Sequence, residues 1–282
     1  MPARPILVLC EGPHDIAFLT RLLGATCGAV PLKATVATLP PPLGDFFTRR
    51  LAAREANEAS LGGGGPVAPD VPPLLEAVWK TPADSRNWYF LNCGGDDKTK
   101  EINAFLKLVL ALTQISEPVK KLAALGIVFV NDADDKGIAG RQKIITDRHS
   151  PILAPLVPDF SSLAANAALQ SGNFGAGTCV FAKPGLDNGT LEDIVWSLWK
   201  PDHAARRDSA HELMKSLAIP GTKIGPGSTP SKILKAAFTT AGQTECPGYS
   251  LNVILRDTTA LDTEAMKSSV ACAAFAEVLL TV

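Results

Sequence analysis

Acidic side chains that can hold a divalent cation stand at four points of the sequence, each just after an apolar run. Glu11-Gly12-x-x-Asp15 follows Pro5 to Leu9, and Gly94-Gly95-Asp96-Asp97 follows Trp88 to Leu91. Asp132-Ala133-Asp134-Asp135 follows Gly126 to Val130, and Gly185 to Asp193, which contains Glu192, follows Cys179 to Ala182. Carboxylates gathered in a small volume repel one another unless positive charge neutralises them. Oxygen-only ligand sets select Mg²⁺, Mn²⁺ or Ca²⁺, and no histidine except His14 adjoins these clusters, so zinc is disfavoured. Gly12 and Pro13 predict a sharp turn that aims Glu11 and Asp15 over one edge of a sheet. Asp132 and Asp134 are two residues apart and lie on one side of an extended segment. A pair of cations ~3.5–4 Å apart on such groups would clamp a phosphodiester and hold an attacking water.

Each piece alone has a plainer reading. Acids in the first turn of a helix favour its dipole, and Glu192 and Asp193 follow Thr190, a good N-cap. Asp132 to Gly137 resembles the start of a calcium loop, but Lys136 holds the fifth position and Lys143 the twelfth, where a bidentate glutamate is required. The conjunction favours a metal site: every cluster falls at the end of a predicted strand, in one sheet.

The elements that position these groups follow from periodicity. Pro5 to Leu9, Trp88 to Leu91, Gly126 to Val130 and Cys179 to Ala182 read as buried strands. Helical spacing predicts helices over Pro13 to Ala25, around Ile102 to Leu110, over Ile138 to Asp147, and from Leu191 to Leu198. Alternation of this kind implies parallel βαβ units, whose ligands bind at the carboxyl ends of the strands. Residues 28–86 carry proline clusters and the run Gly62 to Gly65 around one short helix, Asp45 to Ala59, and read as an insertion. Residues 150–176 read mostly as loop with one short helix. A last helix is expected over Asp262 to Leu280, packed on the core through Ala271 and Ala274.

The order E-G-x-x-D after strand one, G-G after strand two and D-x-D after strand three resembles the TOPRIM fold. The segment ending Leu191-Glu192-Asp193 is similar to uncharacterised bacterial TOPRIM-like proteins related to the OLD (overcoming lysogenisation defect) nucleases. The resemblance covers roughly residues 4–27 and 86–200. It implies an α/β fold, a Rossmann-like and mostly parallel four-stranded sheet flanked by helices. The catalytic domain would span residues 1–200, with a helical C-terminal extension over 201–282. It further implies a nuclease dependent on Mg²⁺ or Mn²⁺. Glu11 would be a metal ligand or general base, Asp132 and Asp134 the acid pair, Asp15 an auxiliary ligand, and Glu192 a second-metal ligand. Asp135 competes with Asp134, and Asp193 with Glu192, for these roles. The nuclease branch also carries a helical lysine that steadies transition-state charge. Here Lys232 is the candidate, with Lys235 one turn on.

The sequence departs from other relatives. It has no G-x-x-x-x-G-K-[ST] and no C-x-x-C pair; its tyrosines are Tyr89, inside a strand, and Tyr249. Strand passage and primer synthesis are therefore poorly supported. Gly221 to Gly227 is glycine-rich, matches no phosphate loop, and reads as a mobile loop near the site.

The 282 residues carry a net charge of −1, so a non-specific nucleic-acid coat protein is disfavoured. Apolar residues make up 46%, enough for a full core, and the first apolar run is too short for a signal peptide. With no ~18-residue apolar run there is no membrane span, and a cytoplasmic enzyme with reduced cysteines is expected. The expected partner is nucleic acid, DNA more than RNA, with a protein partner or homo-oligomer in addition. The competing expectation is a non-catalytic TOPRIM subunit that binds nucleic acid or nucleotide within a larger defence or repair complex.

Overall fold

The computed structural model of the chain describes residues 4–60, 73–82, 86–118, 120–217, 230–244, 246–257 and 259–282. Both glycine-rich runs, Gly62 to Gly65 and Gly221 to Gly227, lie outside the described residues. The strands are β1 (Pro5–Cys10), β2 (Val30–Pro31), β3 (Leu74–Lys80), β4 (Asn87–Asn92), β5 (Leu125–Asp132), β6 (Ala168–Ser171) and β7 (Phe174–Phe181). They form one mixed sheet in the order β2-β3-β4-β1-β5-β7-β6. The four strands expected from the sequence are its central parallel run, β4-β1-β5-β7.

The helices are α1 (Pro13–Cys27), α2 (Leu43–Ser60), α3 (Thr99–Ala111), α4 (Gly137–Leu153), α5 (Leu191–Ser197), α6 (Pro201–Ser216), α7 (Pro230–Gln243), α8 (Leu251–Asp257), α9 (Thr263–Ser268) and α10 (Val270–Thr281). Successive strand side chains point to opposite faces, so one strand feeds two cores. Ile6, Val8 and Cys10 pack with α1, α5, α7, α8 and α10, whereas Leu7 and Leu9 pack with α2, α3 and α4. Burial on both faces accounts for the near-continuous apolar runs of the central strands.

Three expectations need correction. The sheet has seven strands rather than four, because the insertion supplies β2 and β3 antiparallel beside β4, and β6 folds back antiparallel on β7. Prolines and polar residues around these short edge strands hid them from a periodicity argument. Strand β7 begins at Phe174 rather than Cys179, since Gly175 and Gly177 are needed as small residues. A Cβ at Gly177 would stand 2.7 Å from a methyl of Val278 on α10. The last helix is two: Asp262 caps α9 through Glu264 N at 2.9 Å, and extended Ser269 starts α10.

The helices beyond residue 201 share the core of the sheet rather than standing off it. Trp88 on β4 donates its indole N–H to the Leu279 carbonyl at 3.0 Å, and Phe275 meets Phe181 at 5.1 Å. All six cysteines are free thiols. Among the described residues, no helix is long and apolar enough to cross a membrane.

Candidate functional site

The parallel strands end together, and their ends bring the acidic groups to one rim. Glu11 is the first residue past β1, Asp132 is the last of β5, and the segment after β7 leads into α5 and Glu192. Asp15 sits in the first turn of α1, where its Oδ2 accepts the Gly12 N–H at 2.9 Å. Asp132 Oδ1 accepts the Leu191 N–H at 2.8 Å, tying the end of β5 to the start of α5. Asn131 donates to Glu11 Oε1 at 2.7 Å. Lys235 on α7 reaches Glu192 Oε1 at 3.0 Å.

Each of these four carboxylates therefore has one oxygen anchored by the protein. The second oxygen has no hydrogen-bond partner among the described residues. Asp15 and Glu192 are buried, at 8% and 4% exposure. Lys235 is the one cation in direct contact with the group among the described residues.

The electrostatics follow from that deficit of positive charge. Burial raises the Asp15 carboxyl to about 7; the charges of Glu11 and Glu192 add to the shift, while the Gly12 N–H opposes it. Burial, and then Asp15, Glu192 and Glu11, push Asp132 well above the usual carboxylate range. Glu11 is raised by burial and partly restored by the Asn131 hydrogen bond. Burial disfavours the Lys235 ammonium, yet the neighbouring Glu192, Asp132 and Asp15 raise its pKa overall. A buried group of this composition is neutralised by protons or by a bound cation.

Asp134 departs from the expected extended pair. Its φ is +50°, and it forms an antiparallel bridge with Gly189, Asp134 N to Gly189 O at 2.8 Å. The left-handed turn separates its carboxylate from that of Asp132. Arg141 on α4 instead holds Asp134 Oδ2 at 2.6 Å. The structure also separates the two pairs of competing acids. Asp135 is exposed, and Asp193 accepts the Thr190 N–H at 3.0 Å as the capping acid of α5, leaving Glu192 to face the cluster. Lys232 is exposed and has no partner among the described residues. The lysine that α7 delivers is Lys235, one turn later.

The described residues contain no three His, Cys, Asp or Glu side chains arranged as a ready cage for one ion. The donor set still fits a hard divalent cation in chemistry: oxygen only, anionic, and with a second oxygen of each carboxylate uncommitted.

Sequence reasoning missed Asp96 as a structural centre, together with Arg141 and Arg148. Both arginines lie on α4, seven residues apart and hence on one face, which is the signal that was legible. Arg141 is 1% exposed and holds Asp96 at 2.5 Å.

Neither a family model nor a curated protein matches the chain. A solved structure does: hypothetical protein PH0156 from Pyrococcus horikoshii OT3, with a TM-score of 0.52 at 17% identity. The match covers 98% of this chain and 96% of that one. The likeness is one of fold. It extends over the whole mixed α/β sheet with its flanking helices, a Rossmann-like class in which strand ends form sites.

Proposed function

We propose that the protein is a metal-dependent phosphodiester hydrolase of TOPRIM type, related to the OLD nucleases, acting on nucleic acid. The observation that carries this reading is the buried cluster Glu11, Asp15, Asp132 and Glu192, four carboxylates balanced in direct contact by Lys235 alone. Asp132, Glu192 and Asp15 would hold Mg²⁺ or Mn²⁺ through their uncommitted oxygens. Such an ion supplies positive charge to the phosphoryl oxygens. Glu11, raised by burial and oriented by Asn131, accepts a proton from the attacking water. The water oxygen bonds to phosphorus, the ester P–O bond breaks, and the departing oxygen takes a proton from solvent. Lys235 supports the charged form of Glu192 and offsets negative charge gathering at the rim.

The test is cleavage of supercoiled plasmid with Mg²⁺ or Mn²⁺ by the native protein, Glu11→Gln and Asp132→Asn. Metal-dependent nicking lost in both variants is expected. A folded native protein that binds Mn²⁺ yet cleaves neither DNA nor RNA overturns the reading. It would favour the non-catalytic binding subunit, to which the engagement of Asp134 by Arg141 also points.

A further inference from the structure

Beside the carboxylate cluster, the structure holds a second and oppositely charged arrangement. Three cations converge on one carboxylate. Asp96 Oδ2 accepts from Arg141 at 2.5 Å and from Lys136 at 3.3 Å, and Asp96 Oδ1 accepts from Arg148 at 2.9 Å. Arg148 also donates to the Asp96 carbonyl at 3.0 Å. These contacts outweigh the effect of burial and hold the Asp96 carboxyl far below its ordinary range.

The three cations are built into the fold in different ways. Arg141 is almost wholly buried, and its Nε, also buried, has no hydrogen-bond partner. It lines a cavity of about 30 Å³ together with Glu11, Asn131, Asp96 and Arg148, so the buried guanidinium faces unfilled space next to the candidate site. Lys136 and Arg148 are 41% and 37% exposed, so the outer side of the arrangement is open. Asp96 itself rides on a loop whose Gly94 and Gly95 take φ of +73° and +114°, a backbone that glycine adopts without strain and that can re-form readily. If Asp96 leaves, Arg141 still has Asp134 at 2.6 Å, so its buried charge is not stranded.

A carboxylate that gathers two arginines and a lysine through both its oxygens mimics a phosphate. We propose that Lys136, Arg141 and Arg148 form a binding site for a nucleic-acid backbone phosphate, and that Asp96 is its resident occupant, displaced when nucleic acid binds. The ligand class rests on the proposed function; the anion site rests on the geometry alone. Asp96 thereby sets a threshold: weak or short ligands fail to displace it, and a polyanion does.

The experiment is fluorescence anisotropy of a short labelled DNA duplex in EDTA, where no cleavage occurs, with the native protein, Asp96→Asn, Arg148→Gln and the double variant. Asp96→Asn is expected to bind roughly tenfold tighter, because a like charge facing the backbone is gone. Its plot of log Kd against log salt should steepen by ~0.9, the increment for one phosphate gained. Arg148→Gln should weaken native binding, flatten that plot by a similar amount, and cancel the gain in the double variant. Unchanged or weaker binding by a folded Asp96→Asn overturns the proposal. If Asp96→Asn does not fold, unchanged binding by Arg148→Gln overturns it instead. Inorganic phosphate is the control: if it occupies Asp96→Asn as tightly as the duplex does, a small phosphorylated ligand replaces nucleic acid and the proposal falls. Tighter duplex binding by Asp96→Asn without any plasmid cleavage would sink the hydrolase reading and leave this site standing. Metal-dependent nicking with no effect of Asp96→Asn would do the reverse.

Discussion

Replacing Asp15 by asparagine should stabilise the metal-free protein at alkaline pH, although it removes a residue of the candidate site. Asp15 ionises at about 7 in the folded protein, against 3.8 for the free side chain. Between those values the native state holds a proton that the unfolded chain has released. Stability therefore falls as pH rises through that window, by ~4 kcal/mol at most, about three pKa shifts of 1.36 kcal/mol each. Asp132 shares the repulsion, so an expectation of ~2–4 kcal/mol is appropriate for the single change. The amide oxygen of the substituted side chain can still accept the Gly12 N–H, now at 2.9 Å, so the cap of α1 is kept. The assay is urea denaturation in EDTA at pH 5 and pH 8. The variant should exceed the native protein at pH 8, and the gap should shrink at pH 5. Added Mn²⁺ should raise the native protein by ~2.7 kcal/mol at a hundredfold excess over Kd, and the variant by less. A variant less stable than native at pH 8 in EDTA, or a gap independent of pH, refutes the account of a charge-deficient buried cluster.

Two other perturbations test the surroundings of the site. His149, stacked on Phe129 at 4.4 Å and bonded to Asn103 at 2.7 Å, is lowered to about 4 by burial and by the charge of Arg148. The unfolded chain takes up that proton first, so its contribution is lost as pH falls from about 6.5 towards 4, by about 3 kcal/mol. This slope opposes that of Asp15, and a His149→Phe variant, followed by thermal melts over the same range, should lack it; an unaltered slope argues against a buried neutral imidazole. Gly189→Ala forces a side chain onto φ +123° with its Cβ 2.5 Å from the Lys183 nitrogen, opening the bridge to Asp134. The expected loss is ~1–3 kcal/mol, with cleavage falling further than stability; a melting temperature equal to native would show that the bridge is dispensable.

Local pattern and tertiary packing contributed different parts of this picture. The central strands, α1 and α5 were legible because their signals are local: apolar runs, Pro13 at a helix start, and Thr190 before Leu191. Placement of Glu11, Asp132 and Glu192 at one rim followed from parallel βαβ order, since parallel strands must end on the same side. The edge strands β2, β3 and β6 were not legible, because a short edge strand is defined by its neighbour more than by its own pattern.

The charges were decided by folding alone. Asp134 lies two residues from Asp132, but a single left-handed φ hands it to Arg141 instead of the carboxylate cluster. Lys235 meets Glu192 only because α7 packs on α5, and Asp96 meets Arg148 only because the end of β4 lies beside α4. Sequence alone determines which charged groups exist and which strand end carries them. Which of them pair depends on contacts between segments dozens of residues apart, and it is the low-dielectric packing around those contacts that turns a pairing into a shifted pKa or a buried cation.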